Sequence, residues 1–105
     1  MSRMTDIQSE RDQLFFRLCS DHISIEAIPK KPVRVDFAKF KDRSLRNYEL
    51  IMWTPHFVVL KNRSGQEITL RKDGRMVIRK AASESVAELA ATAVMRLVLN
   101  DFLEG

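Results

Sequence analysis

The chain is poor in the residues that carry metal and redox chemistry, with one cysteine and two histidines among 105 residues. A single cysteine excludes an internal disulfide, as is usual in a reducing compartment, so we expect a cytoplasmic protein. One cysteine and two histidines at unrelated spacings do not form a zinc motif. The three glycines are too far apart for a phosphate-binding loop. We therefore predict no bound metal and no cofactor.

Long apolar runs are absent as well. No run approaches the ~20 residues that cross a bilayer, and residues 1–6 lack the apolar stretch of a signal peptide. We therefore expect no membrane partner. The hydrophobic fraction of 45% and the charged fraction of 30% are ordinary for a globular protein. At this length we predict a single domain spanning residues 1–105, with one modest core.

No catalytic constellation stands out in the sequence. Cys19 and His22 are three residues apart, which permits contact, but a cysteine nucleophile also needs an orienting group and an oxyanion site. Nothing nearby supplies either, and a small, partly buried thiol is the simpler interpretation. The acidic residues show no pairing that implies acid–base catalysis. We predict that the protein is not an enzyme and has no catalytic residues.

What the chain does have is an uneven distribution of charge. Residues 30–80 contain 14 basic and 5 acidic residues, whereas the two flanks together contain 4 basic and 9 acidic residues. A basic middle between acidic ends predicts a surface that attracts a polyanion or an acidic partner. The basic residues that precede the central strands and could extend such a surface are Lys30, Lys31, Arg34, Lys39, Lys41, Arg43 and Arg46.

Helical periodicity marks both ends of the chain. An N-terminal helix is predicted over residues 6–21, with one apolar stripe and a capping box that begins at Thr5. A C-terminal helix is predicted over about 85–103, with Ser85 and Glu88 as its capping box. The C-terminal helix has two apolar sides. Either the sheet and the N-terminal helix cover one side each, or one side is a dimer interface.

Period-two alternation of apolar and polar residues predicts strands between the helices. We predict six strands, at residues 23–28, 33–37, 48–54, 57–61, 66–71 and 75–79. Residues 39–47 form a polar, basic connection, for which a short helix is one alternative. The predicted fold is α+β: an N-terminal helix, an antiparallel sheet of about five to six strands and a long C-terminal helix packed across one face.

The register of the last two hairpins follows from their side chains. Three-residue loops that end in Gly65 and Gly74, each a type I turn with a left-handed glycine, place the apolar strand residues on one face. The predicted pairs are Leu60–Ile68, Val58–Leu70, Leu70–Met76 and Ile68–Ile78. A two-residue turn at Asp73–Gly74 would mix the two faces and bury charge, so we prefer the longer loops. A charge-complementary row then lies on the other face and contains Lys61, Glu67 and Arg79.

The segment GRMVIRKAASE, residues 74–84, resembles the last strand and the helix start of a TATA-box-binding protein repeat. In that family a hairpin glycine, a basic residue and Met-Val precede a Ser-Glu helix opening, and the order of elements is similar over residues 48–102. The resemblance implies one half of a saddle and a sheet face on which phenylalanines wedge between DNA base pairs. Arg71 stands at one wedge position, Phe57 matches the other only with a shortened loop, and Lys80 replaces a glycine.

The open face of the predicted sheet is the candidate binding surface. Its arginines can pair with phosphates, and its apolar residues can rest on a sugar or wedge between bases. The row of Val59, Thr69 and Val77 is less polar than a plain solvent face, which favours a partner. The predicted binding residues are Phe57, Val59, Lys61, Thr69, Arg71, Arg75, Val77 and Arg79. A charged, solvated face that resists edge pairing is the simpler alternative.

We therefore predict a small, non-enzymatic binding or assembly module, either a homodimer or a subunit of a protein complex. The alternative is a basic nucleic-acid-binding protein that uses the open sheet face, with an affinity that falls steeply as salt rises. The sequence leaves open whether the basic residues of 30–46 and the sheet arginines share one surface.

Overall fold

In a computed structural model the protein is α+β, with a six-stranded antiparallel sheet and a long C-terminal helix on one face. The structure describes residues 13–21, 23–42 and 45–104. The strands are β1 (Leu14–Leu18), β2 (Ile25–Pro29), β3 (Tyr48–Trp53), β4 (Phe57–Asn62), β5 (Glu67–Arg71) and β6 (Met76–Arg79). The helices are α1 (Ala38–Asp42) and α2 (Glu84–Asp101). The strand order is β1-β2-β6-β5-β4-β3, and each neighbouring pair is antiparallel.

The core lies between the sheet and α2, which packs across β2 and β6. Alternate residues of the three central strands point toward the helix and are fully buried: Val58, Leu60, Ile68, Leu70, Met76 and Ile78. Phe102, just after α2, stacks on Phe40 of α1 with ring centroids 4.2 Å apart. The indole N–H of Trp53 donates to the carbonyl of Phe37 at 2.9 Å, which holds the start of α1 beside β3. Along the described ranges, no helix is both long and apolar enough to cross a membrane.

The hairpin registers are confirmed. β4, β5 and β6 pair as predicted, including Leu60 with Ile68 and Leu70 with Met76. Both loops contain three residues and end in a left-handed glycine, with φ of 89° at Gly65 and 90° at Gly74. The turn chemistry and the apolar alternation specify the same register, which is why this part of the fold follows from local sequence.

The predicted N-terminal helix over 6–21 is wrong where the structure describes it. Leu14–Leu18 is an edge strand, and it pairs with β2 from Leu14–Pro29 to Leu18–Ile25. The segment Leu-Phe-Phe-Arg-Leu is rich in bulky residues that suit a pleated surface, and β2 supplies its backbone hydrogen bonds. The capping box that begins at Thr5 lies outside the described residues.

The strand predicted at 33–37 is also wrong, although its inward positions are right. Val35 and Phe37 are buried, but this segment does not join the sheet. Its backbone instead binds distant parts of the chain: Val35 N–H donates to Lys72, Asp36 N–H donates to Phe102, and the Arg34 carbonyl accepts from Glu104. The short helix considered for 39–47 is present as α1, which begins at Ala38.

The C-terminal helix is confirmed, but its N-cap is Ser83 rather than Ser85. The Ser83 hydroxyl oxygen accepts the Val86 N–H at 3.1 Å, so Ser85 is already inside the first turn. The helix side that carries Ala87, Ala91, Met95 and Val98 is buried in the core. The exposed side carries Leu89 and Ala93.

Candidate docking face

No element of the described part of the chain covers the face of the sheet opposite α2, which we call the open face, and the structure brings all the predicted binding residues together on it. Alternate residues of a strand point to opposite faces of the sheet. In β4, β5 and β6 the buried core residues alternate with the predicted binding residues, so the binding residues point away from α2. Arg75 precedes β6, but its carbonyl accepts the Arg71 N–H at 2.8 Å, which continues the ladder into the hairpin. The residues on this face are Phe57, Val59, Lys61, Thr69, Arg71, Arg75, Val77 and Arg79.

Cross-strand pairing arranges the open face into three rows that run across the strands. The apolar row consists of Val77, Thr69, Val59 and Met52, from β6 to β3. The charged row beside it consists of Arg79, Glu67, Lys61 and Glu49. The arginine row on its other side consists of Arg75, Arg71 and Phe57. An uncharged strip therefore lies between two rows that carry charge.

A β-bulge in β3 enlarges the apolar row. β3 advances from Leu50 to Met52 while β4 advances by one residue, so Ile51 is the extra residue. Ile51 and Met52 are 45% and 49% exposed, which is high for side chains of this size and polarity. Sequence reasoning missed both, because the four consecutive apolar residues 50–53 show no alternation that would reveal which side chains point outward.

The β1–β2 hairpin extends the open face beyond β6. Phe15 lies opposite Ile28 and is 58% exposed, and the Lys30 Nζ lies 5.1 Å from the centroid of the Phe15 ring. Arg17 and Glu26 form an ion pair across the two strands, with 2.7 Å between Nε and Oε1. Sequence reasoning missed Phe15 and Arg17 because it assigned residues 6–21 to a helix, in which Phe15 belongs to the apolar stripe.

Opposite charges are interleaved on the open face. The Lys80 ammonium donates to Glu67 at 2.8 Å, and the Asp73 carboxylate lies 3.1 Å from Arg71 and 3.8 Å from Arg75. The hydrogen bond from Lys80 lowers the pKa of Glu67, because it stabilises the ionised carboxylate. These pairs are exposed, where an ion pair contributes only ~0–1 kcal/mol. They therefore determine the sign pattern of the surface more than the stability of the fold.

The basic residues of 30–46 divide between the two sides of the sheet: Lys30 lies over Phe15 beside the open face, whereas Lys39 and Lys41 do not join the sheet arginines. The Lys39 ammonium donates to the carbonyl of Leu103 at 2.9 Å, and the Lys41 Nζ lies 3.8 Å from the centroid of the Trp53 ring. Both lysines belong to α1, which packs on the core side of the sheet through the buried Phe40. Arg43 lies outside the described residues. The basic middle of the sequence is thus spread over both sides of the sheet.

Other chemistry is sparse in the part of the chain that the structure describes. It contains no group of three or more His, Cys, Asp or Glu side chains arranged to hold a metal ion. Cys19 is half-buried just after β1, and its burial raises the pKa of the thiol. His22 lies outside the described residues. Three open depressions of about 390 to 490 Å³ lie beside the sheet and α2, and none of the three is lined by a predicted binding residue.

Comparison of the chain with protein-family models, with curated proteins and with solved structures gives no match. The resemblance to a TATA-box-binding protein repeat therefore stays a prediction drawn from residues 74–84. The role of the open face has to be inferred from its own geometry and charge.

Proposed function

We propose that the protein is a non-enzymatic assembly module that docks a protein partner on its open sheet face. The apolar row carries this proposal, because it places four uncharged side chains in register across four strands, with the bulged Ile51 at its end. An antiparallel sheet that only faces water carries polar side chains at its outward positions. Here the centre is apolar and the charges lie on both sides, which is the usual anatomy of a protein interface.

The charge pattern favours a protein over a nucleic acid as the partner. The affinity of a nucleic-acid-binding surface comes largely from Lys and Arg residues that neutralise phosphates. On this face Glu26, Glu49 and Glu67 alternate with basic residues along the rows, and Asp73 sits between two arginines. A phosphate that approaches the charged row meets carboxylates as well as cations. The same alternation suits a protein surface that carries both signs.

The side chains of the face support binding rather than catalysis. Thr69 has the one hydroxyl among the eight predicted binding residues, and its cross-strand neighbours are Val59 and Val77. Neither valine can act as a base, and a hydroxyl nucleophile needs one within hydrogen-bond reach. We therefore assign the open face to recognition of a partner.

A photo-crosslinking residue on the face tests the proposal. Benzoylphenylalanine in place of Thr69, or in place of Lys61 at the side of the apolar row, is irradiated in the cells that make the protein. We expect covalent adducts in which the increase in mass comes from a second polypeptide. The matched control is the same residue in place of Ala93, which is exposed on the outer side of α2.

The control distinguishes a specific docking face from nonspecific crosslinking over the whole surface. Adducts that form equally from position 93, or no protein adducts from either face position, would contradict the proposal. Adducts that a nuclease removes would support the nucleic-acid alternative instead.

A further inference from the structure

We infer that the partner on the open face is a second copy of this chain, related by a two-fold axis that runs parallel to the strands between β4 and β5. The inference rests on the proposed function, because it identifies the partner of the same face. The observation behind it is the order of signs in the charged row. From β6 to β3 the row reads plus at Arg79, minus at Glu67, plus at Lys61 and minus at Glu49.

A row of four alternating charges is complementary to its own reverse. A two-fold axis parallel to the strands reverses the strand order but keeps each row opposite itself, so β6 faces the partner's β3 and β5 faces the partner's β4. Arg79 then lies opposite the partner's Glu49, and Glu67 lies opposite the partner's Lys61. Every charge of the row meets an opposite charge, and symmetry repeats each pair.

The other two rows fit the same axis. Reversal of the apolar row sets Val77 opposite the partner's Met52 and Thr69 opposite the partner's Val59. In the arginine row, Arg71 meets the ring of the partner's Phe57, which is a favourable cation–π arrangement. One axis therefore matches apolar with apolar, plus with minus, and a guanidinium with an aromatic ring.

A two-fold axis perpendicular to the strands fits less well. It would run along the apolar row and bring the charged row against the partner's arginine row. Arg79 would then lie opposite the partner's Arg75, a strongly unfavourable like-charge contact, and only Glu67 with the partner's Arg71 would pair opposite charges. The strand-parallel axis also gives an aligned packing of two antiparallel sheets, which is a common arrangement in proteins.

The size of the open face determines how stable the inferred dimer should be. Four strands spaced about 4.8 Å apart give a contact roughly 15–20 Å wide. With strands of about five residues, roughly 17 Å long, the contact covers about 300 Å², which is less than the ~800 Å² per partner of a standard stable interface. We therefore expect a dimer that dissociates on dilution, and its measurement must span low to high micromolar concentrations.

The test uses Glu49 and Arg79, which lie on β3 and β6 and are separated by two intervening strands. Three strand spacings place them about 14 Å apart within one chain, which exceeds the Debye length of ~8 Å at physiological salt. Reversing one charge therefore cannot compensate the other within a single chain. Glu49→Arg and Arg79→Glu each create two like-charge contacts in the inferred dimer. Each variant should self-associate roughly tenfold more weakly than wild type, or weaker still, in sedimentation equilibrium.

A mixture of the two single variants gives the decisive result. One variant carries only positive charge at the two outer positions of the row, and the other carries only negative charge. Their equimolar mixture should form a heterodimer about as stable as the wild-type dimer, and the double variant should self-associate again. Matched controls with the same charge changes on exposed residues outside the face are Glu104→Arg and Arg46→Glu. Both should leave self-association unchanged.

The outcomes separate this inference from the proposed function. Wild type that stays monomeric at all concentrations, while the crosslinker at position 69 captures another protein, would overturn the second copy and leave the proposed function standing. A dimer that ignores both charge reversals would overturn the axis. No protein adduct from the face would overturn the proposed function itself. Circular dichroism of each variant checks that altered association does not reflect unfolding.

Discussion

Gly74 lies so close to Val33 that a Cβ atom at Gly74 would overlap the Val33 side chain. Gly74 also has a φ of 90°, in the left-handed region that side chains disfavour. Gly65 has nearly the same φ, 89°, but nothing lies within 4 Å of the position of its missing Cβ. The two hairpin glycines therefore separate backbone strain from steric overlap.

Substitution of each glycine by alanine measures the backbone strain and the steric overlap separately. Gly65→Ala is expected to lower the free energy of unfolding by about 1–2 kcal/mol, the cost of alanine in the left-handed region. Gly74→Ala is expected to lower it by a further ~1–3 kcal/mol, because the Val33 segment must shift to make room. Urea denaturation of both variants checks the difference. Equal losses would show that the Val33 segment yields without cost.

A second pair of alanine substitutions tests which serine caps α2. Ser83→Ala removes the acceptor for the Val86 N–H and should lower the free energy of unfolding by about 1 kcal/mol. Ser85→Ala is the control, since Ser85 is not the N-cap, and we expect little change. Chemical denaturation compares them directly. A larger loss at Ser85 would support the capping box predicted from the sequence.

The turn before β2 predicts an acid-sensitive contribution to stability. The Asp21 carboxylate accepts the Ser24 N–H, the Ile23 N–H and the Ser24 hydroxyl, which lowers the pKa of Asp21 from 3.8 to about 2. A carboxyl whose pKa is lower in the folded state stabilises the fold above its unfolded pKa, and this contribution is lost as the pH falls from about 4 to 2. We expect the urea midpoint to fall across that window, and to fall less in Asp21→Asn.

The Ser24 hydroxyl offers a direct check on the same turn. In Ser24→Ala the carboxylate loses one donor, so the pKa of Asp21 should rise toward its usual value. A carboxyl NMR titration measures this shift. An unchanged pKa in the variant would show that the hydroxyl does not hold the turn.

Oligonucleotide binding separates the proposed function from its alternative. Labelled duplex and single-stranded oligonucleotides should show little anisotropy change even at ~50 mM salt, because carboxylates interrupt the basic residues of the face. Replacing Glu49 and Glu67 together by glutamine should strengthen binding. Tight binding by wild type that weakens many-fold between ~50 and ~200 mM salt would favour the nucleic-acid alternative. The sheet arginines would then be the next residues to replace.

The central sheet could be predicted because its local signals agree. The turn glycines fix the loop lengths of the last two hairpins, and the apolar alternation of β4, β5 and β6 fits only one register. The outward residues of the candidate face follow from that register. Ile51 and Met52 could not be predicted, because a bulge depends on how β3 meets β4 and leaves no alternation in an apolar run.

The N-terminal half shows where local pattern fails. Leu14, Phe15 and Leu18 fit a helical stripe, while Leu14, Phe16 and Leu18 fit a strand, so five residues support both structures. The pairing with β2 decides the outcome. The segment around Val35 shows the same limit, since its inward residues were right but its backbone partners lie near Lys72 and Phe102. Contacts at such sequence separation leave no mark on local periodicity.

Because β2 lies beside β6, the β1–β2 hairpin is synthesised well before the strand on which it docks. Ile25 pairs with Ile78, 53 residues later in the chain. β3 to β6 can form by successive local hairpins, whereas the junction of β2 with β6 must wait until β6 has left the ribosome. During that interval the apolar side of the first hairpin, with Leu14 and Ile25, has no sheet to cover it. Until β6 emerges, this uncovered apolar side leaves the nascent hairpin open to misassociation.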